Sequence, residues 1–155
     1  MQSVLMISPT VLVSTSTSTS AFHDISNRVM KIDLTRTKDD HDDTVMGSTA
    51  HTYITGLEKW AFKTEMIQSF STADGGENTN TLLQNLFTMP SNAQKFLMAV
   101  TYSSTALLGV GNPTWSGLCV LKGYSPLTGA VGDLLKSSVE FTGSSILNQS
   151  VTSSA

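Results

Sequence analysis

Two histidines and two aspartates in the stretch HDDTVMGSTAHTYITGLEKW, namely His41, Asp42, Asp43 and His51, are residue types that a divalent metal accepts as ligands. Their spacing matches neither a paired-histidine helix motif nor an alternating-aspartate calcium loop, and adjacent acids ordinarily belong to a solvated loop. The lone cysteine, Cys119, would need a nearby base to act as a nucleophile, yet His23, His41 and His51 are all distant in sequence. It sits in the apolar run Leu118-Cys119-Val120-Leu121 and reads as a small buried hydrophobe. Gly109-Val110-Gly111 has no following helix or third glycine to cradle a phosphate, so it reads as a turn. Tyr53, Trp60, Trp115 and Tyr124 could form a carbohydrate platform, but their scatter along the chain favours core packing. The expectation is a chain with no catalytic residue, metal or cofactor.

The elements around these residues are read from composition and period. At 155 residues the chain fits one domain with one adequate core. Ser and Thr together supply 43 residues, and charged residues only 14%, a balance that favours strands and loops over helices. The net charge of -3, with no basic run longer than two, excludes tight nucleic-acid binding through a basic patch. Most of the ionic residues fall between Asp24 and Glu77, which leaves the second half nearly neutral and poorly protected against association. The absence of a disulfide suits folding inside a cell. MQSVLMISPTVLV lacks a basic leader region and is broken by Pro9, and no apolar run approaches the roughly 18 residues of a membrane span.

Met30, Ile32 and Leu34 alternate with Lys31, Asp33 and Thr35, which predicts a half-buried strand ending near Arg36. After His51–Thr55 and Gly56, a long alternation puts Trp60, Phe62, Thr64, Met66, Gln68 and Phe70 on one face, with Ala61, Lys63 and Glu65 on the other. Ala73–Asn78 is a turn by composition, and Thr81–Phe87 is the one good helix, with Asn78 or Asn80 as N-cap and a Leu83, Leu86, Phe87 stripe. Further strands are expected over Phe96–Tyr102, Leu118–Tyr124, Ser137–Phe141 and Ile146–Val151, with Ser103-Ser104-Thr105 and Gly109–Pro113 as breaks. The fold class is therefore mainly β, a β-sandwich or barrel of about seven strands with one flanking α-helix.

Two segments find no place in that core. Residues 1–21, which contain the polar run STSTSTS, read as an N-terminal arm preceding the single domain over 22–155. Val4–Val13, including Val11 and Val13, could add as an edge strand to a neighbouring subunit or serve as a terminal strand of its own sheet. Residues 37–50 read as a long exposed loop. With Arg36 and Lys38 ahead of Asp39, Asp40, Asp42 and Asp43, this loop either meets complementary charge on another surface or is simply solvated.

Two blocks of residues carry a resemblance. The first is Asp43-Thr44-Val45-Met46-Gly47-Ser48 followed by Ile54-Thr55-Gly56-Leu57 and Trp60; the second is Pro113-Thr114-Trp115-Ser116-Gly117, Gly123-Tyr124-Ser125-Pro126, Val131-Gly132-Asp133 and Ser138–Gly143. In order and spacing they resemble the major tail tube proteins of long non-contractile-tailed (siphophage-type) bacteriophages, over roughly Asp24 to Val151. Adjacent Asp42 and Asp43, Met46 where an aromatic is common, and the STSTSTS run depart from that pattern. The resemblance implies a structural virion protein, assembled in the host bacterial cytoplasm, whose copies close hexameric rings edge to edge. The rings stack into a tube that passes DNA and the tape-measure protein without sequence-specific binding, and it meets tail terminator and distal tail proteins at its ends. Under it, Asp39, Asp40, Asp42, Asp43, Thr44, Met46 and Gly47 of the loop, with Val11 and Val13 of the arm, become the self-assembly residues, and one of Glu65, Glu140, Asp74 or Lys63 faces the lumen. Other readings are a tail terminator or head-decoration protein, or a carbohydrate-binding module.

Overall fold

The alternation between Trp60 and Met66 is realised as one strand of a long hairpin in the computed structural model, which describes residues 9–14, 22–70, 78–89, 96–101 and 111–151. In chain order the elements are β1 (Thr10–Ser14), β2 (Phe22–Asp24), a 3-10 turn (Ser26–Arg28), β3 (Val29–Asp42), β4 (Tyr53–Ile67), α1 (Thr79–Thr88), β5 (Phe96–Thr101), β6 (Thr114–Thr128), β7 (Lys136–Gly143) and β8 (Asn148–Ser150). All pairings are antiparallel, in the order β2-β1-β5-β6-β7-β4-β3, with β8 beside the first residues of β6. Val11 of β1 and Phe62 of β4, several strands apart, belong to one buried cluster, so the sheet curls around a single core. The mainly β architecture with one helix is the expected class, with eight strands among the described residues.

Period two explains the core. Trp60, Phe62, Thr64 and Met66 point inward from β4, and Ser137, Val139 and Phe141 do so from β7. Phe62 lies opposite Phe141 in the ladder, their rings 6.1 Å apart and tilted, and burial of each contributes about 1.5–3 kcal/mol. The Trp60 indole lies over Gly117 and Gly143, where an added Cβ would come within 2.7 and 2.3 Å of the ring, and its Nε1 donates to the Ser145 carbonyl at 2.5 Å. No larger residue fits under that ring.

The helix packs on β6 through Leu82, Leu83 and Leu86, while Phe87, expected on the same stripe, is half-exposed. Asn78 is the N-cap, its side chain accepting from the Thr81 amide at 3.0 Å. Gln68 Nε2 donates to the Tyr124 hydroxyl at 2.8 Å, and that hydroxyl donates to Asn80 Oδ1 at 3.0 Å, which ties the helix start to β4 and β6.

The structure decides one open reading, the place of Val11 and Val13, and corrects two expectations. Val11 and Val13 are 0% and 1% exposed on a strand flanked by β2 and β5, so residues 10–14 of the expected arm belong to the chain's own sheet. Their alternation fits the inner face of that sheet, and side chains enclosed there cannot grip a neighbour. β3 does not end at Arg36 but runs to Asp42, so the first part of the expected loop is strand. Phe70 is exposed, because the ladder stops at Ile67 and the Gln68 amide turns to the Leu135 carbonyl. The rest of the arm (1–8 and 15–21), the turn over 73–77 with Asp74, and the breaks at 103–105 and 109–110 lie outside the described residues.

Candidate assembly surface

The β3–β4 hairpin is longer than the sheet that supports it. β7 pairs with β4 only over Ala61–Ile67, so residues from Tyr53 to Trp60 have β3 as their ladder partner. Among the described residues the distal part, about Thr37 to Lys59, is thus a two-stranded ribbon reaching past β7, its base held where Glu58 accepts from the Leu147 amide. β3 is the terminal strand of the order, and among the described residues its outer side has no ladder partner, which leaves a row of backbone donors and acceptors open along fourteen residues. The opposite margin, β2, has three described residues.

A two-stranded ribbon in water needs cross-strand pairs to hold it. Arg36 supplies a forked contact to Glu58, Nε to Oε1 at 3.1 Å and Nη2 to Oε2 at 2.9 Å, and Lys59 Nζ donates to Asp39 Oδ1 at 2.8 Å. The Arg36 hydrogen bonds hold the Glu58 carboxyl below its ordinary range. Lys38 faces Glu58 and Asp40 faces Thr55, so β4 carries one extra residue at Gly56-Leu57, a bulge beside Asp39. An added Cβ at Gly56 would come within 3.1 Å of both the Asp39 carbonyl and the His41 ring, which suits the position to glycine.

At the tip, Asp42 Oδ1 accepts from the Thr44 amide at 2.9 Å and from the Thr44 hydroxyl, whose oxygen accepts from the Thr52 amide at 3.1 Å. The Asp43 amide donates to the Thr52 carbonyl at 2.8 Å, and His51 Nδ1 lies 3.4 Å from Asp42 Oδ2. The Thr44 hydrogen bonds, with a smaller contribution from His51, hold the Asp42 carboxyl below its usual range. Val45-Met46-Gly47-Ser48 is then a β-turn closed by Ser48 N–H to Val45 O at 3.1 Å, with Gly47 at φ +98° in the position that demands it. This turn holds Val45 and Met46 in solvent, and Met46 is 105% exposed.

The residues singled out by sequence therefore divide by task. Asp39 braces the ribbon, Asp42 and Thr44 lock its end, Gly47 makes the turn, Asp40 and Asp43 remain exposed, and Met46 is displayed. Sequence reading did not assign to assembly Tyr53, Ile54 and Leu57, which are exposed along the ribbon, or Leu127, Val131 and Leu134 around the β6–β7 turn. Apolar residues on a strand look like core residues unless the strand is known to leave its sheet; for Val131, the following Gly132 was the available signal.

Other candidate chemistry is dispersed. Among the described residues no group of three or more His, Cys, Asp and Glu is placed to hold a metal. Cys119 is enclosed, and burial pushes its thiol up to about 12. Trp60 is buried, Trp115 packs against the core, and Tyr124 is held by hydrogen bonds, so the four aromatics form no common platform. No described helix is long and apolar enough to cross a membrane. On the outer face of β3, β4, β7 and β6 lies a groove of about 390 Å³. Lys31, Asp33, Lys63, Glu65 and Glu140 line it with both signs, and Glu140 Oε1 lies 3.2 Å from Lys122 Nζ and 3.8 Å from Lys63 Nζ.

No protein-family model matches the chain, and no curated protein matches it in sequence. Solved structures do match in fold. The SPP1 tail tube superposes with a TM-score of 0.66 at 6% identity, over 93% of this chain and 78% of that one. A chain from the virion of a native gene transfer agent particle gives 0.64 at 9% identity, covering 90% and 95%. A chain from the six-fold symmetrised baseplate of the anti-feeding prophage gives 0.63 at 10%, covering 99% of each. The chain thus has the fold found in the SPP1 tail tube and in related phage-like particles.

Proposed function

We propose that this protein is a structural subunit of a phage-type tail tube, whose copies close rings and stack into a hollow conduit in the virion. The observation that carries this reading is the β3–β4 hairpin: a fourteen-residue edge strand continuing into a braced ribbon whose tip displays apolar residues, on a fold shared with the SPP1 tail tube. The β3 edge would join the sheet of the next copy within a ring, satisfying its open backbone groups, and equal rotations would close the circle. Six copies per ring is the number favoured by the six-fold symmetry of two structural neighbours, a gene transfer agent tail and the anti-feeding prophage baseplate.

The tip and ribbon would make the contact between rings. Met46, Asp40 and Asp43 are exposed there, while Asp39, Asp42, Thr44 and Gly47 shape the surface that carries them. DNA and a tape-measure protein would pass through the lumen, with terminator and distal tail proteins at the ends and assembly in the host cytoplasm. The groove bearing Lys63, Glu65 and Glu140 suits a lining that neither grips nor strongly repels a polyanion, since its charges of both signs lie close together.

Electron microscopy of the purified chain tests this: hollow fibres are expected, and a protein that remains monomeric at high concentration would refute it. Replacing 43–52 by Asn-Gly, a turn that closes a ribbon tightly, should leave a folded protein that forms no fibres. Normal fibres from that variant would remove the tip from the interface. Single rings that never stack would point instead to a terminator.

A further inference from the structure

Two turns on this molecule share one construction. In Val45-Met46-Gly47-Ser48 the Ser48 amide donates to the Val45 carbonyl, and Gly47 has φ +98°; in Ala130-Val131-Gly132-Asp133 the Asp133 amide donates to the Ala130 carbonyl, and Gly132 has φ +94°. Each spends a left-handed glycine to hold the preceding apolar residue wholly in water, Met46 at 105% and Val131 at 108% exposure. Leu127 and Leu134 are exposed beside Val131, as Val45 is beside Met46.

The two turns lie at opposite ends. β4 starts at the ribbon tip with Tyr53 and ends at Ile67, and the ladder places Lys136, the first residue of β7, opposite Ile67. The 130–133 turn is thus separated from the tip by the length of β4, roughly 45 Å at the rise of an extended strand. Charge also differs between the ends. From Arg36 to Trp60 five acids stand against three bases, with Asp40, Asp42 and Asp43 nearest the tip, whereas among the described residues the far end carries Arg28, Lys31 and Lys136 against Glu65 and Asp133.

We infer that the 45–48 turn of one copy docks on the 130–133 turn of the next copy along the stack, Met46 packing against Val131, Leu127 and Leu134, with the acidic tip facing Lys136. The inference rests on the tube reading and names the surface that receives the tip. Two different patches at opposite ends of one chain make a heterologous contact, which repeats in one direction and gives the stack a polarity. Opposite charge at the two ends favours head-to-tail over head-to-head encounter.

Disulfide trapping tests it. Met46→Cys and Val131→Cys are placed in the same chain; Cys119, enclosed and with its thiol pushed up, stays silent. After assembly and mild oxidation, a non-reducing denaturing gel should show a covalent ladder extending to many copies, absent from either single variant. Tubes without a ladder would overturn the docking and leave the tube reading standing. A ladder from short head-to-tail chains that never form tubes would overturn the tube reading alone, and neither product would overturn both. A charge pair gives a second readout: Met46→Asp should raise the concentration needed for assembly at least ten-fold, and adding Val131→Lys should restore most of it. Unchanged assembly of Met46→Asp would also overturn the docking.

Discussion

The two halves of β4 differ in what their neighbours leave open. From Ala61 to Ile67 the strand lies between β3 and β7, and every second side chain enters the core. From Tyr53 to Lys59 it has β3 as its ladder partner, and apolar residues such as Leu57, 81% exposed, stand in solvent. The same period-two backbone therefore does two jobs, and the extent of β7 sets the boundary between them. Residues on the inner half are held by burial; those on the outer half are held by cross-strand pairs and left free to meet another surface.

The contrast is tested most severely at Phe62. Truncation to Ala should cost about 3–5 kcal/mol, read as a lowered urea midpoint, because a ring enclosed against Phe141 leaves a cavity behind. A loss near zero would mean that the inner half is not the stabilising half. Gly143→Ala should cost about 1–3 kcal/mol, since its methyl group would overlap the Trp60 indole; a shift in tryptophan emission should accompany the fall in thermal midpoint. On the outer half, Leu57→Ser should change monomer stability by no more than about 0.5 kcal/mol, yet reduce fibre yield. A large loss of stability there would erase the distinction.

The smallest effect is one of pH. Asp42 and Glu58 are held below their ordinary ranges by hydrogen bonds from Thr44 and Arg36, so what they contribute is complete above the ordinary carboxylate range. It is lost as pH falls through the lowered values. Protection factors of the Asp43, Thr44 and Thr52 amides, each taken against the intrinsic exchange rate at that pH, should then be lower in acid than at neutrality, while those of the Phe62 and Phe141 amides stay high. Equal loss of protection at both places would mean that the tip and the core open together.

The same contrast explains what could be read from sequence. β4 and β7 were legible because one of their faces is apolar, and α1 was legible from its leucines and Asn78, although Leu82 rather than Phe87 completes the buried stripe. The continuation of β3 past Arg36 was not, because a ribbon with water on both faces has no reason to alternate. Of the charges that suggested a loop, Asp39 is the cross-strand partner of Lys59 and Arg36 that of Glu58. β6 proved longer than its apolar run: it carries Pro126 at a register slip between Ser125 and Thr128, where the missing amide is tolerated. Val11 and Val13 were ambiguous because the polar run that follows them hides which sheet they serve.

The extra residue at Gly56-Leu57 marks an exception to the rule for how this ribbon can change in length. Side chains along a strand swap sides at each step, and the bulge absorbs one step: deleting Leu57 alone would leave Gly56 opposite Asp39 and Thr55 opposite Asp40, so Tyr53 and Ile54 would keep their faces, whereas one residue added to each strand would exchange the faces shown at the tip. Adding two residues to each strand would carry the tip outward with its orientation kept. The reach of the hairpin is therefore quantised: variants can grow or shrink it in pairs, while a single step turns its outer surface inside out.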